Sequence, residues 1–136
     1  MNSKGFTLIE LLVGSLIVLV AISALFSGIS YIRVTMNQLF LKEKAYEELN
    51  NYTNFWKSRI AMDKWAGVLG TTISDSPINL IENEKKSIQA NLKRKATLQT
   101  DDHPFQYYTL NTTISWNDLS DHSNEMKFKV NQIVFK

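Results

Sequence analysis

The chain has no cysteine among its 136 residues. That excludes disulfides, thiolate chemistry and cysteine-based metal sites, and leaves packing alone to hold any folded domain together. Proline is nearly absent too, and none interrupts the chain before Pro77. No glycine-rich phosphate loop, nucleophile elbow or zinc-ligand spacing occurs, so neither an enzyme nor a bound cofactor is expected. Charge of one sign is lacking as well. A formal net charge of +2 does not by itself imply a nucleic acid or an acidic membrane surface as partner. There is no internal repeat and no low-complexity tract, and the length fits one domain.

What is present is concentrated at the start. From Phe6 to Ile32 the sequence reads FTLIELLVGSLIVLVAISALFSGISYI, bounded by Lys4 and Arg33. Leu11 to Ile32 carries no charge. As a helix rising ~1.5 Å per residue it reaches about 33 Å, enough for a hydrocarbon core of roughly 30 Å. Gly14, Ser15, Ser23, Ser27, Gly28 and Ser30 punctuate the run. Small residues of this kind let helix backbones approach closely, so a membrane helix that packs on other helices is expected. Glu10 is the anomaly, because a carboxylate within a membrane span is costly and usually functional. Read on position alone, it is either an interfacial group that stays in water or a group with a partner. A secretory signal peptide is the rival for the whole segment, but its apolar core is shorter and free of acids.

Lys4-Gly5-Phe6-Thr7-Leu8-Ile9-Glu10 resembles the processing site of type IV prepilins and of the pseudopilins of type II secretion. The resemblance implies a leader, residues 1–5, removed by a prepilin peptidase after Gly5, and N-methylation of the newly exposed Phe6. It implies that Glu10 pairs with the amino group of Phe6 on a neighbouring subunit, two charges satisfied together in an apolar filament core. Lys4 would hold the leader on the cytoplasmic side. Many major pilins of the family have a proline where this chain has Ser27, followed by Gly28. A locally melted helix there is therefore less expected.

Beyond Arg33, apolar residues Met36, Leu39, Phe40, Tyr46, Leu49, Tyr52, Phe55 or Trp56, and Ile60 recur at three- and four-residue steps, while Lys42, Glu43, Lys44, Glu47 and Glu48 form a solvated face. One long helix to Tyr52 or Ile60 is expected, with its aromatic stripe serving as core. Trp65, Gly67 and Gly70 mark a break, and Ser74 to Pro77 reads as a turn. Strand alternation then appears at Ile88, Ala90 and Leu92, most clearly from Tyr108 to Trp116, and again at Met126, Phe128 and Val130. A change of phase before Ile133 and Phe135 suggests a bulge. The last two strands read as a hairpin.

The expected fold is α+β: a long N-terminal helix packed by a small antiparallel sheet. Its parts are a leader (1–5), a transmembrane and assembly half of the helix (6–32), an amphipathic half (33–60) and a small globular domain (61–136). Tyr108 to Trp116 with its closing strand is similar to the C-terminal part of minor pseudopilins and related minor pilins. The 131 residues left after removing five from 136 also suit a minor subunit. The expected partners are other pilin subunits, the prepilin peptidase and an inner-membrane assembly platform. The expected location is the inner membrane, with the C-terminal domain outside the cytoplasm.

Three residue clusters bear on binding. His103 with Asp101 and Asp102, and His122 with Asp118 and Asp121, read as solvated turns rather than cation sites, and no metal is expected. Lys85, Lys86, Lys93, Arg94 and Lys95 form a basic cluster. A competence pilus subunit would use Lys93, Arg94 and Lys95 to contact DNA phosphates. The favoured reading is instead a solvated edge strand whose lysines discourage aggregation, with nucleic acid unlikely as a partner. The third class is a plain single-pass anchored protein.

Overall fold

The computed structural model describes residues 7–83, 86–99, 107–118 and 121–133. Its elements run in the order α1 (Leu8–Ala61), β1 (Ile73–Ser74), β2 (Ile78–Asn83), β3 (Lys86–Gln99), β4 (Tyr107–Asn117) and β5 (Ser123–Ile133). The chain divides into two compact units, Met1–Leu39 and Phe40–Lys136, described separately below.

In the first unit the helix starts on a capping box. The Thr7 hydroxyl accepts from the Glu10 backbone N–H at 3.3 Å, and Glu10 Oε2 accepts from the Thr7 backbone N–H at 2.9 Å. Each group thus satisfies a donor that the first helical turn leaves unpaired. The serines that interrupt the apolar run turn their hydroxyls inward along the helix. Ser15 donates to the Leu12 carbonyl at 2.8 Å, Ser23 to Leu19 at 2.9 Å, Ser27 to Ser23 at 3.0 Å and Ser30 to Phe26 at 3.0 Å. A hydroxyl satisfied in this way can sit in an apolar medium without an unpaired polar group. The helix continues through Ser27 and Gly28 without a break.

In the second unit the helix buries one stripe: Leu41, Ala45, Leu49, Thr53, Trp56 and Ile60. The stripe matches the expected one at Leu49, Trp56 and Ile60 and departs from it elsewhere. Met36, Leu39, Phe40, Tyr46 and Phe55 are all at least half exposed. Leu41, Ala45 and Thr53, which the expectation left out, complete the buried face. Ala45 on the helix and Ala90 and Ala96 on β3 are fully buried.

The helix ends in a Schellman motif. The Lys64 N–H donates to the Arg59 carbonyl at 2.8 Å and the Asp63 N–H to Ile60 at 2.9 Å. Asp63 takes the left-handed position with φ 55°, a place usually given to glycine.

The sheet is antiparallel in the order β1-β3-β4-β5, with β2 also paired to β3. Five strands form where three or four were expected. β1 falls in the region read as loop and turn, β2 in a stretch for which no element was expected, and β2 pairs with β3 through an irregularity between Asn79 and Ile81. The bulge expected before Ile133 does not occur: β4 and β5 stay in register from Asn117↔Ser123 to Tyr107↔Ile133, and Ile133 simply faces outward. Phe135 lies outside the described residues.

The inner face of the sheet carries two apolar clusters. Leu41, Ala45, Leu49, Leu80, Ile88, Leu92, Ile114 and Trp116 belong to the first; Trp56, Ile60, Ala96 and Leu110 form the second. Between them lies a polar layer. Arg94 stands opposite Thr112 in the β3–β4 ladder, flanked along β3 by Leu92 of one cluster and Ala96 of the other. Thr53 on the helix meets Thr112, oxygen to oxygen, at 2.6 Å.

Candidate assembly segment

The segment singled out by sequence begins with Lys4, Gly5 and Phe6, which lie outside the described residues. Glu10 sits in the first turn of α1, held by Thr7 through both its backbone N–H and its hydroxyl, each donating to Oε2 at 2.9 Å. Both of these bonds fall on one carboxylate oxygen, so Oε1 remains able to accept from an incoming donor. Thr7's part was missed by the sequence reading, although Thr7-Leu8-Ile9-Glu10 before an apolar run is the signature of a capping box.

Downstream of Glu10, α1 is long and apolar enough to cross a membrane, and its most apolar window has no buried residue. Leu11, Leu16, Leu19, Leu25 and Phe26 are each more than 60% exposed. So large an apolar surface is not stable in water and marks a lipid or protein contact. A Cβ placed at Gly14 or Gly28 would meet no atom of this chain, so these positions offer room to a neighbouring helix.

The basic cluster does not stay together. Lys93 and Lys95 lie on the outer face of the sheet, whereas Arg94 points inward and is 6% exposed. Its Nη1 donates to Asp75 and, at 3.2 Å, to the Tyr52 hydroxyl. The Tyr52 hydroxyl donates in turn to Asp75. The guanidinium also stacks on Trp56 and approaches Trp65. Burial opposes the charge of Arg94, but the bonds to Tyr52 and Asp75 outweigh it and raise its pKa. Arg94 is therefore withdrawn as a DNA contact: its Nη1 and Nη2 donors are engaged inside the domain, and its Nε is buried. Nor is β3 an edge strand, since it pairs with β1 and β2 on one side and β4 on the other.

Asp101, Asp102 and His103 lie outside the described residues, as does the side chain of Lys86 together with Lys85. Around the other histidine, Asp118 Oδ1 accepts the His122 backbone N–H at 3.0 Å, and Asn117 donates to Asp121 at 3.2 Å. These bonds close the β4–β5 turn, in which Asp121 has φ 62°. No group of three or more metal-ligating side chains occurs among the described residues.

Residues 1–26 match the family model described as the prokaryotic N-terminal methylation motif. No curated protein and no solved structure matches the chain. With a capped apolar helix at its start and a small antiparallel sheet in its second unit, the chain carries the N-terminal signature of the type IV pilins and pseudopilins.

Proposed function

We propose that the chain is a minor subunit of a type IV pilus or of a type II secretion pseudopilus, with a structural and assembly role. The observation that carries this reading is the methylation motif at residues 1–26, joined to a helix whose most apolar stretch has no residue buried within its own chain. The parts would act in sequence. A prepilin peptidase cleaves between Gly5 and Phe6, Lys4 having kept the leader in the cytoplasm, and Phe6 is then N-methylated. The subunit waits in the inner membrane as a single-pass protein with its C-terminal domain outside the cytoplasm. An assembly platform moves it into a filament, where Glu10 accepts the Phe6 ammonium of a neighbour. The pair costs less than either charge alone in an apolar core. It also sets the axial position of one subunit against the next.

The exposed Met36, Leu39 and Phe40 support helix-mediated packing. The rival reading, a DNA-capturing competence subunit using Lys93, Arg94 and Lys95, loses its central residue to the interior.

The test is the N-terminal mass spectrum of the protein recovered from host membranes. A chain starting at methylated Phe6 is the expected result. A start at Met1, or near Ser27 as for a secreted domain, would sink the reading. Glu10→Gln separates the two roles of the carboxylate: it keeps an amide oxygen for the cap but loses the charge, so filament incorporation should fail while the helix persists.

A further inference from the structure

We infer that the outer face of the sheet binds an acidic polysaccharide. The face is built by register. Lys93 on β3 stands opposite Thr113 on β4, which stands opposite Lys127 on β5. In the next row outward, Lys95, Asn111 and Lys129 align in the same way. With strands ~4.8 Å apart and same-face residues about 7 Å apart along a strand, the four lysines form a rectangle about 10 Å wide around a central Thr–Asn column.

Charge on this rectangle is largely uncompensated. Lys127 pairs with Glu125 at 2.7 Å, but no ion pair to Lys93, Lys95 or Lys129 forms among the described residues. Along β3, β4 and β5 the outer face carries one carboxylate, Glu125, against the four lysines. Clustered like charges on one face raise the local concentration of a polyanion.

A second feature adjoins the lysines. A groove on the same face is lined by Gln89, Asn91, Ser115, Trp116, Asn117 and Ser123, with the Trp116 ring itself buried on the inner side. Amide and hydroxyl groups both donate and accept, which matches the paired hydroxyls of sugars, while lysines match their carboxylates. Nucleic acid is the poorer fit. Single-stranded nucleic acid is held by stacking bases on aromatic or arginine planes, and the arginine of these strands, Arg94, is turned inward and engaged with Tyr52 and Asp75. Along β3, β4 and β5 the outer face shows a single aromatic residue, Tyr107, at its far end.

The experiment uses the full chain in neutral detergent micelles and measures binding of alginate, neutral dextran and a thymidine 20-mer at several salt concentrations. Alginate is expected to bind with an affinity that falls as salt rises, and dextran not to bind. Removing four lysines (K93Q/K95Q/K127Q/K129Q) should weaken alginate at least about tenfold and flatten its salt dependence. Asn91→Ala with Asn111→Ala should weaken alginate a few-fold at fixed salt with the salt slope unchanged. If the fourfold variant is misfolded by circular dichroism, K93Q/K129Q, at opposite corners, gives the same reading with a smaller loss. The inference is overturned if alginate does not bind, or if the lysine variants bind it like the parent chain. It is also overturned if the 20-mer binds more tightly than alginate and ignores the asparagine changes, which would make the face a phosphate-backbone surface.

Discussion

The guanidinium carbon of Arg94 lies 3.7 Å from the ring centroid of Trp56, a stacked contact inside the domain between the central strand and the helix. The same side chain reaches Asp75 beyond β1, Tyr52 on the helix and, at 3.4 Å, the Ala66 carbonyl in the connecting loop. One residue of β3 thus ties together the helix, the connecting loop and the segment that follows β1.

Replacing Arg94 by alanine should therefore be among the most damaging single changes in the domain. It removes a cation–π contact and leaves Asp75, whose side chain is 32% exposed, without its cation. The expected loss is about 2–4 kcal/mol. Arg94→Lys should recover only part of it, because an ammonium cannot both stack and fork. Denaturation of the full chain in detergent, followed by tryptophan fluorescence, measures both. A loss below about 0.5 kcal/mol for Arg94→Ala, the range of ordinary surface changes, would refute the tie.

Tyr52 gives a pH prediction. Its hydroxyl is pushed up from 10.0 to about 12, first by burial and then by its hydrogen bond to Asp75, with Arg94 opposing. The folded state thus holds a proton that the unfolded chain releases near pH 10. Its contribution is fully present below that point and is lost as pH rises toward about 12. Phenolate absorbance should show one tyrosine ionising late, and Tyr52→Phe should abolish that late step.

The Thr53–Thr112 pair should respond asymmetrically. Thr53 donates to the Leu49 carbonyl at 2.6 Å while sharing a 2.6 Å contact with Thr112. Thr112→Val leaves Thr53 with a partner and should cost about 1 kcal/mol, whereas Thr53→Val strands a buried hydroxyl at Thr112 and should cost about 1–3 kcal/mol. The double variant should cost less than the sum of the two. Equal single effects in denaturant titrations would mean that Thr112 finds another acceptor.

Asp63→Gly should stabilise. The residue occupies the left-handed position of the helix cap with φ 55°, and its carboxylate sits at the negative end of the helix. Glycine relieves both strains, for a gain of about 0.5–1 kcal/mol. Gly67→Ala should act oppositely, since a Cβ there would collide with Ile73 Cδ1 and φ is 134°. Melting of the two variants side by side checks both signs.

The long helix was legible because nothing in the sequence breaks it before Asp63, and the β4–β5 hairpin because Tyr108 to Trp116 alternates cleanly. β1 and β2 were not. β1 has two residues, and β2, Ile78 to Asn83, runs apolar through Leu80 and Ile81 instead of alternating. Arg94 read as surface charge because a single sequence does not show that Asp75 and Tyr52 converge on it from 19 and 42 positions away. The assembly motif was legible as a pattern of residue types, and the capping role of Thr7 was present in the same letters. The lysines of the outer face were only half visible: Lys93 and Lys95 stood out as a run, while Lys127 and Lys129 join them only through strand pairing.

The polar layer between the two apolar clusters also works as a ruler. In a uniformly greasy sheet, β3 could slip by two residues against β4 and still bury alternating side chains. Here such a slip would drive the Arg94 guanidinium into the ground held by Leu92 or Ala96, away from Asp75, and would set Thr112 against an aliphatic neighbour. Each misthreaded sheet would carry an orphaned charge, a penalty of several kcal/mol. In a domain without a disulfide to fix its strands, one buried cation is enough to make every wrong alignment expensive.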